Sequence, residues 1–396
     1  MKKRFGAIFV LLVLLFNLTS FDIYSNQNID RYIKAGILMD EDSGRIVYEY
    51  NIHDQVAIAS LTKMMTFLVA LEAIRNNEVS KHDTVTISQN AARLRGSTYN
   101  LRTGEEVELI ELLKALMIVS GNDAAVAIAE HIAGTESNFV QLMNNKAREI
   151  GMYKTVFFNS HGLPIYKMDD RIENLSSAKD LSILVKYLLD NYREETLSVT
   201  SIKTYSNPKR NFERSNTNPL MSIFPEVDGI KTGYTGLAGY CLAFTLNVKS
   251  EDKNDRDFRL IGLVLGSGNQ KERLAGSKNL LEYGRDNFIK TKILSKHEYI
   301  STRYLFGSNE LPVDLISEEE IWVFKGKDEN LNTEIKLNDL SFPVRKNDVI
   351  GTLTFTSENG EILGSVNLIS NTEIKWIPIK IQLELLKKSF LRLFAR

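Results

Sequence analysis

The stretch Ala59-Ser60-Leu61-Thr62-Lys63-Met64-Met65-Thr66-Phe67-Leu68-Val69-Ala70-Leu71 decides how this chain is read. From Met64 onward the apolar residues run all round a helix rather than along one stripe, and a helix of that kind is buried. Lys63 stands in its first turn, where an unpaired ammonium is expensive. Ser60 lies three residues earlier, so at helical spacing the two side chains share a face, roughly 5–6 Å apart at Cβ. Desolvation lowers a lysine's pKa and makes its neutral amine available as a base. Alone, Ser60 would read as a helix N-cap. Beside Lys63 it becomes a candidate nucleophile, with its own N–H at the positive end of a helix.

Two further strings follow in order. Ser120-Gly121-Asn122 ends a helical run built on Leu112, Leu113, Leu116 and Val119, and Asp123 is a candidate N-cap for the next helix. Lys231-Thr232-Gly233 sits in the strand-like segment Asp228-Gly229-Ile230-Lys231-Thr232-Gly233-Tyr234. An edge strand there would pair with an extended peptide through its main chain. Ser-x-x-Lys, Ser-Asp-Asn and Lys-Thr-Gly form the set shared by class A β-lactamases and penicillin-binding proteins, and Gly121 stands where many members have Asp. With the runs at 59–66 and Asn159-Ser160-His161-Gly162-Leu163-Pro164, the sequence most resembles the low-molecular-mass penicillin-binding proteins, the serine-type D-alanyl-D-alanine carboxypeptidases.

That resemblance implies an α+β fold: a β-lactamase/transpeptidase-like three-layer catalytic domain, an antiparallel sheet with a helical insert. It implies removal of the terminal D-Ala from peptidoglycan stem pentapeptides through an acyl-enzyme on Ser60, with no cofactor or metal and with β-lactams as covalent inhibitors. Lys63 would be the base, Ser120 a proton relay and Asn122 an amide that helps hold the substrate. Lys231, Thr232, Gly233 and Tyr234 would bind substrate. Lys231 would attract its carboxylate and polarise Ser120, Gly233 would let its backbone approach, and the Tyr234 N–H would join that of Ser60 in an oxyanion hole. Arg273 resembles a family arginine that meets the terminal carboxylate, although a surface salt bridge would serve it as well. Many relatives have His after the Gly and Ser two positions on; Tyr234 and Gly236 occupy those places here.

Two other reaction classes have candidate residues in the sequence. His161 beside Ser160 hints at a Ser-His-Asp site, but no supporting acid has a recognisable context, and a loop-packing histidine is the simpler reading. A serine β-lactamase needs a deacylating glutamate, for which Glu173 in Arg171-Ile172-Glu173-Asn174-Leu175 is the candidate. A non-enzymatic wall-binding scaffold on the same fold would not need Lys63.

The whole chain of 396 residues carries 43% hydrophobic and 25% charged residues and a formal net charge of −1, which argues against nucleic acid as the main partner. Its one cysteine, Cys241, excludes an internal disulfide and reads as a small buried strand residue. Five histidines with no His-x-x-x-His pair argue against zinc. Residues 1–25, with Lys2-Lys3-Arg4 before an apolar run, read as a signal peptide. Residues 26–292 form the expected catalytic domain, with strands at 33–39, 45–50, 226–235, 239–248 and 258–266. Its helices are expected at 61–76, 108–119, 123–133, 136–150, 179–190 and 270–288. Residues 293–375 read as a small all-β domain, in which Leu353 and Phe355 alternate with threonines and Ile362, Val366 and Leu368 share a side. Residues 376–396 read as an amphipathic helix. From Lys380 onward it has five cations against Glu384, with Leu383, Leu386, Phe390, Leu393 and Phe394 at helical spacing. Such a helix fits an anionic membrane surface, at the outer face of the cytoplasmic membrane for an exported protein; docking on its own domain is the alternative.

Overall fold

A computed structural model describes residues 27–168, 170–304, 311–338, 343–375 and 377–393; the expected signal segment and Phe394 lie outside the described residues. The catalytic half is built on strands β1 Ala35–Asp40, β2 Ile46–Tyr50, β3 Val227–Thr235, β4 Gly239–Val248 and β5 Phe258–Ser267. They form one sheet in the order β3-β4-β5-β1-β2, with every neighbouring pair antiparallel.

Strand alternation divides the core between the two faces of this sheet. Ile37, Met39, Cys241, Ala243, Ile261, Leu263 and Leu265 point into a core shared with helices α1 Lys63–Arg75, α2 Leu109–Ile118, α3 Asn122–Ala133, α4 Glu136–Glu149 and α5 Ala178–Thr200. Leu38, Leu242, Phe244, Leu246, Leu260 and Val264 face the other way, against Leu280 and Leu281 of helix α6 Gln270–Asn287. The result is the expected three layers. In α1 every residue from Lys63 to Leu71 is buried, as its apolar circumference requires. Helix α5 runs about ten residues past the expected end, with a non-helical Tyr192 inside it. A hairpin, Thr204–Asn207 with Phe212–Ser215, follows it, beyond the expected strands.

Strands continue as β6 Phe288–Leu294, β7 Tyr299–Tyr304, β8 Pro312–Ser317, β9 Ile321–Gly326, β10 Asn332–Leu337, β11 Val349–Thr356 and β12 Ile362–Ser370. Five of them form an antiparallel sheet in the order β7-β8-β12-β11-β10, and β6 pairs with β9. Leu353, Phe355, Val366 and Leu368 are buried as expected, but Ile362 is exposed. A register shift between Phe355 and Thr356, opposite Ile362, breaks the alternation there.

Both halves meet through packing and charge. Phe324 of β9 stacks on Phe288 and tilts against Phe258, with ring centroids 5.4 and 5.2 Å apart. Arg45 reaches from the start of β2 to both oxygens of Glu329, at 2.7 and 2.8 Å, and to Glu361 at 3.0 Å. The last helix, α7 Ile379–Leu393, is two-sided. Ile381 and Leu385 pack into the core of the β half, whereas Ile379, Leu383 and Leu386 are 71, 58 and 66% exposed. The side chains of Phe390 and Leu393 lie outside the described ones.

Candidate active site

Ser60 does not open the α-helix. Ala59–Thr62 form a 3₁₀ turn that leads into α1 at Lys63. In a 3₁₀ turn residues i and i+3 eclipse one another, which lines the Ser60 hydroxyl up with the Lys63 amine; Nζ lies 2.9 Å from Oγ. Ala59 enters the turn with φ +47° and Ser120 has φ +62°, both unusual for residues with a Cβ. Such conformations cluster at functional sites, where the surroundings over-determine them.

Lys63 is fully buried. Its Nζ has two other partners, Asn122 Oδ1 at 2.8 Å and the His161 carbonyl at 2.5 Å. The Asn122 amide orientation is fixed from both ends, because its Nδ2 donates to the Arg95 carbonyl at 2.7 Å. One amide N–H is thereby committed to Arg95 and the oxygen serves Lys63, while Nδ2 carries a second N–H. Asn122 Oδ1 and the His161 carbonyl can only accept, whereas a hydroxyl can donate or accept. A neutral amine here gives its two N–H groups to those two acceptors and turns its lone pair to Ser60. Burial pushes the Lys63 pKa well below its ordinary value, and the nearby Lys231 cation lowers it further.

Three other segments close round this centre. Asp123 is not the N-cap, a place taken by Gly121; its carboxylate instead accepts the N–H groups of Tyr99 and Leu101 and ties the 96–101 loop to α3. Asn174 donates to Thr62 Oγ1 and the Asn159 carbonyl and accepts from the N–H of Phe158, stapling the 158–163 loop to the nucleophile turn. In that loop Gly162 has φ +87°, and a Cβ on it would lie 2.0 Å from the Ala59 carbonyl, so only glycine fits. Gly233 is equally tight: a Cβ there would meet the Ile58 carbonyl at 3.0 Å and Ser60 N at 3.2 Å. The nucleophile's own backbone is therefore what a side chain at Gly233 would displace.

Lys231 is buried on β3, an edge strand, and donates to the Thr232 carbonyl at 3.0 Å. No hydrogen bond joins it to Ser120, and the Ser120 hydroxyl has no hydrogen bond among the described residues. Burial, reinforced by the Arg273 cation, brings the Lys231 pKa down to about 7. Thr232 bonds to Thr217 Oγ1 at 2.7 Å, and Tyr234 is half exposed. Arg273, in the first turn of α6, comes close enough to influence Lys231 and has no carboxylate partner among the described residues.

The other candidates are engaged elsewhere. His161 accepts from the Leu163 N–H at 3.0 Å, and burial lowers its pKa to about 3, so the ring is neutral. Its backbone carbonyl, not its ring, serves the site. Glu173 is buried, pairs with Arg171 and accepts from Thr235 Oγ1 at 2.6 Å. Cys241 is buried and burial pushes its thiol pKa up to about 11.

The sequence matches the D-alanyl-D-alanine carboxypeptidase family over residues 24–268, and the C-terminal domain of penicillin-binding protein 5 over residues 288–375. It is 34% identical over 348 residues to D-alanyl-D-alanine carboxypeptidase DacF of Bacillus subtilis (strain 168), covering 86% of each chain. Among solved structures it resembles penicillin binding protein 5 from Haemophilus influenzae, with a TM-score of 0.68 and 31% identity, covering 87% of this chain and 98% of that one. Penicillin-binding protein D2 from Listeria monocytogenes, solved in its cefotaxime-bound form, matches with a TM-score of 0.55 and 31% identity over 63% of this chain and 96% of that one. A buried lysine facing a serine, a Lys-Thr-Gly edge strand and these matches lead to one conclusion: the chain belongs to the D-alanyl-D-alanine carboxypeptidase family of serine peptidases.

Proposed function

We propose that Ser60 is the nucleophile and Lys63 the general base of a D-alanyl-D-alanine carboxypeptidase acting on peptidoglycan stem peptides. The observation that carries this is the set of partners round Lys63 Nζ, in which only Ser60 can give up a proton. Ser60 Oγ attacks the carbonyl of the penultimate D-Ala as its proton passes to Lys63. The oxyanion is received by the backbone N–H groups of Ser60 and Tyr234. Collapse breaks the peptide bond, and the departing D-Ala amine takes a proton relayed through Ser120. Water then attacks the ester while Lys63 takes its proton, and Ser60 regains its hydroxyl. Lys231 and Arg273 attract the terminal carboxylate. Glu173, held by Arg171 and Thr235, favours no β-lactamase-type deacylation.

β-Lactams would acylate Ser60 by the same attack. Incubation with benzylpenicillin is expected to add one antibiotic mass, lasting minutes or longer, to the wild type and none to Ser60→Ala; an adduct on the variant refutes the assignment. Purified pentapeptide muropeptides should lose one D-Ala, and intact muropeptides after prolonged incubation would contradict the proposed reaction.

The base role separates two substitutions. Arg keeps the charge but does not give up its proton. Lys63→Arg and Lys63→Ala should therefore both lose about 10²–10⁴-fold in acylation rate. Recovery of Lys63→Arg to within tenfold of wild type would refute the base role.

The substrate lies outside the cytoplasm, and residues 1–25 fit an export signal. No described helix is long and apolar enough to cross a membrane. We assign attachment to the exposed face of α7: Ile379, Leu383 and Leu386 share one side, turned away from Ile381 and Leu385. Because Ile381 and Leu385 fill the β core, point substitution probes this face more cleanly than truncation. In protein beginning at residue 26, Leu383→Gln with Leu386→Gln should weaken flotation with anionic liposomes at least about tenfold. Equal flotation of both proteins would mean that this face is not the anchor.

A further inference from the structure

Arg273 poses a problem of charge. Its Nε is buried with no hydrogen-bond partner, and no carboxylate pairs with its guanidinium among the described residues. Glu272, next to it on α6, is committed to Asn269 and the Gly268 N–H. A partly buried guanidinium ordinarily carries an acid, because an unpaired charge drawn away from water is costly. Here its neighbour is a ring: Arg273 Cζ lies 5.7 Å from the ring centroid of Tyr240, within the range of a cation–π contact.

Register explains how Tyr240 reaches both sides of the site. On β4 it stands opposite Tyr234 of β3 and opposite Ser267 at the end of β5, just before α6 begins. Its ring stacks on that of Tyr234, with centroids 4.2 Å apart and planes 29° apart. Tyr234 directly follows Lys231-Thr232-Gly233, so Tyr240 joins the Lys-Thr-Gly strand to the arginine through two ring contacts.

A carboxylate in the place of Tyr240 would hold Arg273 equally well but would neutralise it. An aromatic face holds a guanidinium through its quadrupole and leaves its net charge intact. We propose that Tyr240 is a positioning residue, whose ring, braced by Tyr234, fixes the Arg273 guanidinium in place of a protein carboxylate so that the cation stays open to the carboxylate terminus of the substrate. This rests on the reading that Arg273 receives that carboxylate, and it adds the reason why the arginine stays unpaired. Arg273 and Lys231 then form a positive pair whose counter-ion arrives only with the peptide. The mutual repulsion of the two cations, which adds to burial in lowering the Lys231 pKa, is relieved at that moment.

The test compares an N-acylated Lys-D-Ala-D-Ala peptide with the same peptide ending in a carboxamide, with rates normalised to folded sites titrated by fluorescent penicillin. Tyr240→Phe keeps the ring and should stay within about twofold of wild type on both peptides. Tyr240→Leu should raise KM for the free acid about tenfold with little change in kcat, and leave the carboxamide nearly untouched. Mono-, di- and trifluorophenylalanine at position 240 preserve shape while draining the ring face. They should raise KM for the acid stepwise, and they keep the proposal testable if the Leu variant does not fold. Equal losses on both peptides, or a flat fluorination series, would overturn the positioning role. If Arg273→Ala leaves the ratio of acid to carboxamide unchanged, the carboxylate reading itself fails, and the proposal with it.

Discussion

A lysine amine taken wholly out of water is the constraint on which the site depends. Burial of Lys63 costs several kcal/mol as a cation, and the chain answers with three oxygen partners, one from the adjoining turn and two from distant segments. The 3₁₀ turn supplies Ser60, the start of α3 supplies Asn122, and the 158–163 loop supplies a carbonyl. None of these can move alone. Asn174 fixes the loop to the turn, Gly162 and Gly233 let backbones touch that turn, and Asp123 ties the 96–101 loop to α3. The large apolar core on that face of the sheet gives these segments a rigid frame.

The second feature is uncompensated positive charge. Burial of Lys231, reinforced by the Arg273 cation, brings its pKa down to about 7, and no acid pairs with either cation among the described residues. Such an arrangement is unfavourable in the free protein and is relieved by an anionic ligand. A substrate ending in a carboxylate supplies that ligand, and it also restores the charge that Lys231 loses near neutral pH. Binding and electrostatics are in this way coupled at the end of the peptide where specificity is needed.

The parts of this arrangement that rest on side chains with a recognisable spacing were legible in the sequence. Ser60, Lys63, Ser120, Asn122 and Lys231 could be found from three strings, and the buried α1 from its apolar circumference. What stayed hidden is mostly backbone. The carbonyls of His161 and Arg95 have no signature in residue type, and a string such as Ser160-His161-Gly162 directs attention to the imidazole. Nothing local to Gly233 says that residues 58–60 lie against it. Asp123 looked like a cap because its long-range partners, Tyr99 and Leu101, are over twenty positions away. In the tail, Leu383 and Leu386 of the expected stripe stay exposed, and a second face, Ile381 with Leu385, packs against the β half and carries no signal in the stripe's spacing.

All of this turns on whether the Lys63 amine is neutral in the resting protein. Lysine side-chain NMR, with the Lys63 signal assigned by its loss in Lys63→Arg, reads that state directly. The account predicts the resonance of a neutral amine at about pH 7, with a titration midpoint well below the ordinary 10.5. An ammonium resonance that persists until pH approaches 10.5 would contradict it.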